Sequence, residues 1–343
     1  MSGWMSGGPA AAVLTADPPV DEGAPLGTGA ESEEERCLAC VVTYRPDIPQ
    51  LLALIGAVKA ARGFEVALID NSDSAHWHRH LTELATARDC RLIANRENRG
   101  IAHAHNQAID LARRCGFARL LLLDQDSHIS AASIERLNRE LDRLTRAGRR
   151  VAAVGPRHVD CKDGTDLPFV RLTSALGMKP VRDAGPTVAC DVLISSGCLF
   201  PVAQFDEIGP FDTQFFIDYV DIEWCSRARA KGFELHGVPA SRMEHSIGEG
   251  VLRVLGRRLP VHAPQRQYYL VRNALLFARK RQVPMRWRLH LLLRAFAHFA
   301  IFSTLCPPRL QRLRWLGRGL WDGMAGRGGK LPDPDPEAQQ QPL

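Results

Sequence analysis

Two aspartates one residue apart close an apolar run at 120–130, LLLLDQDSHIS. Asp124 and Asp126 stand at i and i+2, so in an extended chain both carboxylates point the same way and can meet one cation or its waters. Hard oxygen ligands suit Mg2+ or Mn2+, and a cation held by only two acids keeps positions open for phosphate oxygens. The chemistry this offers is capture of a nucleoside diphosphate and stabilisation of charge on a departing diphosphate. The plainer alternative is that the pair caps a turn and the helix starting near Ser130. A second acidic group, Asp218, Asp221 and Glu223, lies in FFIDYVDIEWCSRARAKG at 215–232. It reads as the first turn of a helix running to Gly232, where a helix N-terminus favours acids on electrostatic grounds alone.

The elements that must position these groups follow from alternation. From 37 to about 155, the apolar runs CLACVVTY, EVALID, CRLIAN, ARLLLLD and VAAVG are separated by amphipathic stretches. Continuous apolar strands suit a parallel sheet covered on both faces, which makes this a doubly wound α/β domain. One helix opens after Asp47, a capping residue, with Pro49 in its first turn; another, in NQAIDLARRCG, closes on Gly116. In such sheets ligands bind beyond the carboxyl ends of the strands. Those ends are polar: Thr43 and Tyr44; Asp70, Asn71 and Ser72; NRENRG at 95–100; and DQDS at 124–127.

The ordered set VVTYRPD, LIDNSDS, NRENRGIAHAHNQAI, LLLLDQDS, ISSGCLFP, FFIDYVDIEWCSRARAKG and MEHSIG resembles glycosyltransferase family 2, inverting enzymes of the GT-A fold. Within that family it is most similar to the bacterial rhamnosyltransferases that build surface polysaccharides. The resemblance spans about 37–280. It implies a Rossmann-like, mostly parallel sheet with helices on both faces over 37–250, with a nucleotide-sugar-binding half at 37–155 and an acceptor half at 156–250. It places Thr43, Tyr44, Asp70, Asn71, Arg99, Gly100, Asn106 and Asp124 at the nucleotide sugar. Asp126 then binds the metal, Mg2+ or Mn2+, with Asp124 near the ribose or metal waters. His245, which alone reads as a structural histidine, becomes a metal contact. The family's catalytic base falls at Asp221, with Glu223 and Asp218 as further candidates, since Val220 stands where many relatives carry an acid directly before the base. In ISSGCLFP, Gly197 is either a site of close substrate approach or a plain turn. The implied donor is a dTDP-sugar, dTDP-L-rhamnose first, with galactofuranosyl or other hexosyl transfer from a UDP-sugar as the alternative. The acceptor is a saccharide or a polyprenyl-diphosphate-linked lipid.

Charge divides the chain. Residues 1–36 carry seven acids and one arginine among Gly, Ala and Pro, and read with 331–343 as disordered tails. Residues 253–330 carry fifteen arginines and two lysines against the single acid Asp322, a net charge of +16. From 251 to 330 the chain reads as a basic amphipathic helical region lying on an anionic membrane. With no run of 18 apolar residues and no secretion signal, the expected place is the cytoplasm, peripheral on the inner face of the cell membrane.

Other signals are weaker. The nine cysteines are scattered on apparent strands and helices, which suggests reduced thiols, and CLAC continues into a strand without a second pair. His103 and His105, two apart on a helix, do not share a face for a metal. QRLRW at 311–315 matches QxxRW of processive synthases at only three positions, without their membrane spans. A haloacid dehalogenase-type phosphatase would carry its paired acids on the first strand, not the fourth. An Arg-rich nucleic-acid binder would have no use for Asp126 or Asp221.

Overall fold

The structure, a computed structural model, describes residues 13–14, 36–161, 164–173, 177–181, 185–245, 250–254 and 257–331. The tails read at 1–36 and 331–343 lie outside these residues, except Val13, Leu14, Arg36 and Leu331. The chain begins with β1 (Val13–Leu14), β2 (Cys37–Thr43), α1 (Ile48–Lys59), β3 (Phe64–Asp70), α2 (Ala75–Ala87), β4 (Arg91–Ala94), α3 (Ile101–Arg114) and β5 (Arg119–Asp124). It continues through β6 (His128–Ile129), α4 (Ala131–Arg146), β7 (Val151–Asp160), β8 (Val170–Thr173), β9 (Gly177–Pro180), β10 (Val188–Cys190), β11 (Leu199–Pro201) and α5 (Gln204–Ile208). A 3-10 turn (Thr213–Phe215) leads to α6 (Val220–Ala230) and β12 (Glu234–His245), and then β13 (Gly250–Val254), β14 (Arg257–Val261), α7 (Pro264–Ala278), α8 (Met285–Leu305) and α9 (Arg309–Ala325).

The main sheet runs β1-β4-β3-β2-β5-β11-β7-β12-β10, with β6 pairing β12 off this path. The part of the sheet built from the first strands, β4-β3-β2-β5, is parallel throughout, while β11 enters antiparallel between β5 and β7. Both faces are covered, and the strands show why their sequences are continuously apolar. Leu38, Cys40, Val42, Leu120 and Leu122 pack toward α3 and α6, whereas Cys37, Ala39, Val41, Leu121 and Leu123 pack toward α1, α2 and α4. Asp47 caps α1 by accepting the Gln50 N–H at 3.0 Å, with Pro49 in the first turn as expected. All nine cysteines are free thiols.

Three expectations change. The stretch from 251, read as helical, opens with the antiparallel hairpin β13–β14. α7 is not an appendage: it buries eleven residues, three of them the polar Gln267, Arg272 and Asn273, against the 3-10 turn, α9 and the chain entering α6. Arg272 and Arg312 are likewise interior, so part of the +16 is not surface charge. In QRLRW, Arg312 donates to the His262 carbonyl at 2.8 Å and to Gln267 Oε1 at 2.7 Å, while Trp315 meets Tyr268 edge-on, so this segment is packing of α9 on α7.

Candidate active site

The strand ends meet at one rim, because the register sets Thr43 beside Asp70 and Val42 beside Asp124. Thr43 and Asp70 are wholly buried and close on each other. Asp70 Oδ1 accepts the Thr43 hydroxyl at 3.1 Å and the Ser72 N–H at 3.0 Å, and His78 Nδ1 lies 3.3 Å from Oδ2. This pair therefore shapes the rim from below, and the exposed groups above it are Tyr44, Arg45 and Asp73. Arg45, at φ 48°, pairs with Asp73 at 2.9 Å and lies 5.1 Å from the Tyr44 ring centre.

Asn71 ties the rim to α3. Its Nδ2 donates to the Gly100 carbonyl at 3.3 Å, and its Oδ1 accepts Asn95 Nδ2 at 2.8 Å. Gly100 is held at φ 86°, and a Cβ there would lie 2.5 Å from the Phe216 carbonyl oxygen, so only glycine fits. That oxygen accepts the Ile101 N–H at 2.8 Å, joining α3 to the chain that leads into α6. Arg99 is half-exposed beside Glu97. Asn106 does not reach the rim, because it exchanges two hydrogen bonds with the Phe211 backbone, at 2.9 and 2.8 Å.

Asp124 is the last residue of β5 and Asp126 already stands in the turn that follows, where the Ser127 N–H donates to the Asp124 carbonyl at 3.1 Å. The period-two alignment of the two carboxylates therefore does not apply. The turn is fixed from two sides. Gln125 exchanges hydrogen bonds with the Tyr44 backbone, accepting its N–H at 2.6 Å and donating to its carbonyl at 3.2 Å. Ser196 Oγ accepts the Asp124 N–H at 2.9 Å and lies 2.9 Å from Ser127 Oγ. A Cβ on Gly197, at φ 83°, would come within 2.7 Å of Pro156 and 2.8 Å of Met243, so its smallness serves internal packing.

The same loop reaches the second acidic group. The Asp221 carboxylate accepts the Ile222 N–H through Oδ1 at 2.8 Å, and the nearby Ser195 backbone favours its charged form. Burial pushes the Asp221 carboxyl up to about 6, with the backbone N–H groups of Ile222, Asp221 and Ser195 opposing and the nearby charge of Asp218 adding. Asp218 lies before the helix and not in its first turn: it and Tyr219 are left-handed, at φ 62° and 64°, and its carboxylate pairs with Arg266 at 3.0 Å. Glu223 is buried and committed to Arg227 at 2.8 Å and Gln282 at 3.0 Å. His245 ends β12 with its backbone beside Asp160, one residue past the pairing of Glu244 with His128; its side chain lies outside the described residues.

No family model matches the sequence. One curated relative, the dTDP-rhamnosyl transferase RfbF of Shigella flexneri, is 29% identical over 291 residues, spanning 84% of this chain and 95% of that protein. Among solved structures, residues 1–349 of S. aureus TarS in complex with UDP-GlcNAc align at a TM-score of 0.53 and 14% identity, over 85% of this chain and 81% of that one. GalNAc-T7 with UDP, GalNAc and Mn2+ aligns at 0.52 and 15% identity, over 80% of this chain and 57% of that chain's length. This is a GT-A fold, and the sequence is similar to a dTDP-rhamnosyl transferase. Asp124 and Asp126, at the β5–β6 turn, are hard oxygen groups of the kind a divalent cation takes. Among the described residues no cluster of three or more His, Cys, Asp or Glu forms a complete cage, so such a cation would take most of its ligands from substrate or water.

Four participants escaped the sequence reading. Gln125 was passed over as the spacer between two acids, although its type and place carried the signal. Ser195 and Ser196 were read only as small residues. Asn273 lies far along the chain, and its one signal is a polar side chain inside an otherwise apolar helical run.

Proposed function

We propose that this protein is an inverting glycosyltransferase that moves L-rhamnose from dTDP-L-rhamnose to a saccharide or polyprenyl-diphosphate-linked acceptor in cell-surface polysaccharide synthesis. The observation that carries this is the Ser195–Ser196 bridge. The Ser196 hydroxyl accepts the Asp124 N–H at 2.9 Å while the backbone of the preceding Ser195 favours the charged Asp221 carboxylate, so one short loop serves the donor-side acid and the acid at the start of α6. The close relation in length and sequence to a dTDP-rhamnosyl transferase supports the choice of donor.

Inversion requires the acceptor hydroxyl to attack the anomeric carbon from the face opposite the diphosphate, and a carboxylate beside that hydroxyl takes its proton as the bond forms. Asp221 is that base, and a carboxyl raised to about 6 is ionised at neutral pH while remaining a better proton acceptor than an ordinary aspartate. Asp218 stays with Arg266 and Glu223 with Arg227, so neither takes the proton. Tyr44, Asn71, Arg99 and Gly100 belong to the rim that receives the nucleotide, which Thr43 and Asp70 support from beneath. Asp126, with Asp124 and His245, would hold Mg2+ or Mn2+, which when bound neutralises charge on the leaving diphosphate.

The acceptor end is served by a membrane-facing surface. α8 is apolar on two sides but buried on only one: Trp287, Leu291, Ala295 and Phe302 face inward. Met285, Leu289, Leu293 and Phe296 are 73%, 52%, 57% and 51% exposed along the other side, with Arg286 next to Met285 in the chain. The one acid of the region, Asp322, is buried and accepts the Tyr268 hydroxyl at 2.9 Å. An exposed apolar stripe on a segment of net charge +16 suits peripheral contact with an anionic bilayer. Among the described residues no helix is long and apolar enough to cross a membrane.

The test is a donor screen: purified protein with Mn2+ or Mg2+, a panel of dTDP-, UDP- and GDP-sugars, and detection of released nucleoside diphosphate. Metal-dependent release from dTDP-L-rhamnose is expected. Preference for a UDP-hexose would overturn the rhamnose assignment, and silence with every donor in the presence of lipid-linked acceptors would overturn the transferase.

A further inference from the structure

The chain enters α6 through an unusual turn. Asp218 and Tyr219 are consecutive non-glycine residues in the left-handed region, at φ 62° and 64°, and Tyr219 caps α6 with no side-chain hydrogen bond. Such a pair persists only where its surroundings hold it. What holds it is α7. Asn273, with no exposed surface, donates through Nδ2 to the carbonyls of Ile217 at 2.7 Å and Asp218 at 2.9 Å, and lies 3.4 Å from that of Phe215. Its Oδ1 accepts Arg272 Nε at 2.9 Å, which fixes the amide with its N–H groups toward the turn. Arg272 in turn donates to the carbonyls of Gly329 at 2.7 Å and Gln214 at 3.1 Å. From the opposite side the turn is closed by the Ile101 N–H on the Phe216 carbonyl.

We infer that Asn273 is a positioning residue for the transfer reaction: by holding the Ile217 and Asp218 carbonyls it fixes the left-handed turn from which α6 starts, and so sets where the Asp221 carboxylate stands. The role rests on Asp221 being the base. Asparagine is the side chain this requires. An aspartate would set a carboxylate against two carbonyls, and an apolar side chain would leave those carbonyls buried without donors. Most donor-facing residues follow β2, β3 and β5, away from α7, and only Gly100 meets the turn, through the Phe216 carbonyl, so loosening the turn shifts the base more than it disturbs the nucleotide. A displacement of about 1 Å in such a group costs on the order of 10²-fold in rate.

The experiment is a double-mutant cycle on the full chain with dTDP-L-rhamnose and Mn2+, reading dTDP release as water takes the acceptor's place, with circular dichroism to verify folding. Asn273→Ala is expected to lower kcat on the order of 10²-fold while the donor KM moves by about twofold or less. In an Asp221→Asn background the same change is expected to cost nothing further, since it acts through the group already removed. Should the alanine variant fail to fold, Asn273→Ser, which keeps one donor for the two carbonyls, enters the same cycle. A folded variant with unchanged kcat, or an equal loss in both backgrounds, overturns the positioning role. Wild-type turnover in Asp221→Asn alone overturns the base and this role with it, whereas an inactive Asp221→Asn beside an unimpaired Asn273 variant overturns this role only.

Discussion

Gln125 and Tyr44 exchange two hydrogen bonds between one side chain and one backbone, at 2.6 and 3.2 Å, and so lock the turn carrying Asp124 and Asp126 to the end of β2. The lock matters because a short polar turn has few contacts of its own to hold two carboxylates in place. Gln125→Ala removes both bonds at a partly exposed position, so its cost to stability is small, about 1 kcal/mol. Its cost to the donor is larger, since the two sides of the nucleotide rim lose their tie. Calorimetry with dTDP and Mn2+ is expected to show about tenfold weaker binding with the melting temperature nearly unchanged. Unaltered affinity would show that the turn needs no such lock.

Asp126→Ala separates metal from nucleotide. The acid stands on the same turn and is the first candidate for a hard cation, so dTDP affinity is expected to lose its dependence on Mn2+. Titrations with and without the metal check this, and a metal response equal to wild type would remove Asp126 from the cation site.

Asp221→Asn is expected to bind dTDP as the wild type does and to lose ~10²- to 10⁴-fold in turnover. Because the base must be ionised, kcat/KM should rise as pH increases through about 6 and fall away below it. The Cys198 and Cys225 thiols are pushed upward by burial, and Asp218 contributes a negative charge that raises Asp221 further. The same shift has a sign for stability. A carboxyl that is raised in the folded state binds its proton more tightly there than when unfolded, so the fold loses stability between about pH 4 and pH 6 as the buried group ionises. Asp221→Asn should therefore melt higher than wild type at pH 7.5, with the gain vanishing near pH 4. A variant that melts lower at both pH values would indicate that the carboxylate supports the fold.

The doubly wound half was legible because its strands bury side chains alternately on both faces, which leaves almost no polar position until the carboxyl end, where the residues turn abruptly polar. The acids of the site were legible for the same reason. The geometry among them was not. An i, i+2 pair suggests parallel carboxylates only if the chain stays extended, and the Ser127 N–H on the Asp124 carbonyl makes a turn instead. Asp218 and Glu223 looked equivalent to Asp221 by spacing, but partners distant in sequence, Arg266 and Gln282, together with Arg227, neutralise or occupy them. Asn106 was placed at the donor by resemblance, whereas its amide is used by the Phe211 backbone. Charge counting over 253–330 could not distinguish an arginine at the surface from Arg272 or Arg312, whose guanidinium groups serve buried carbonyls.

Leu289 and Leu293 lie one turn apart on the exposed side of α8, with Phe296 continuing the stripe, and none of them touches the nucleotide rim or α6. Replacing Leu289 and Leu293 with Glu removes apolar area and adds negative charge where each nearby arginine is worth ~1 kcal/mol against an anionic surface. The wild type is expected to sediment with phosphatidylglycerol vesicles in low salt, to release partly as ionic strength rises, and to leave pure phosphatidylcholine vesicles unbound. The double variant should lose vesicle binding while releasing dTDP from dTDP-L-rhamnose at the wild-type rate, because the replaced leucines are exposed and the residues that α8 buries, Trp287, Leu291, Ala295 and Phe302, are untouched. A soluble dimer in size-exclusion chromatography that dissociates in the double variant, without vesicle binding by the wild type, would instead assign the stripe to contact between two copies of this chain.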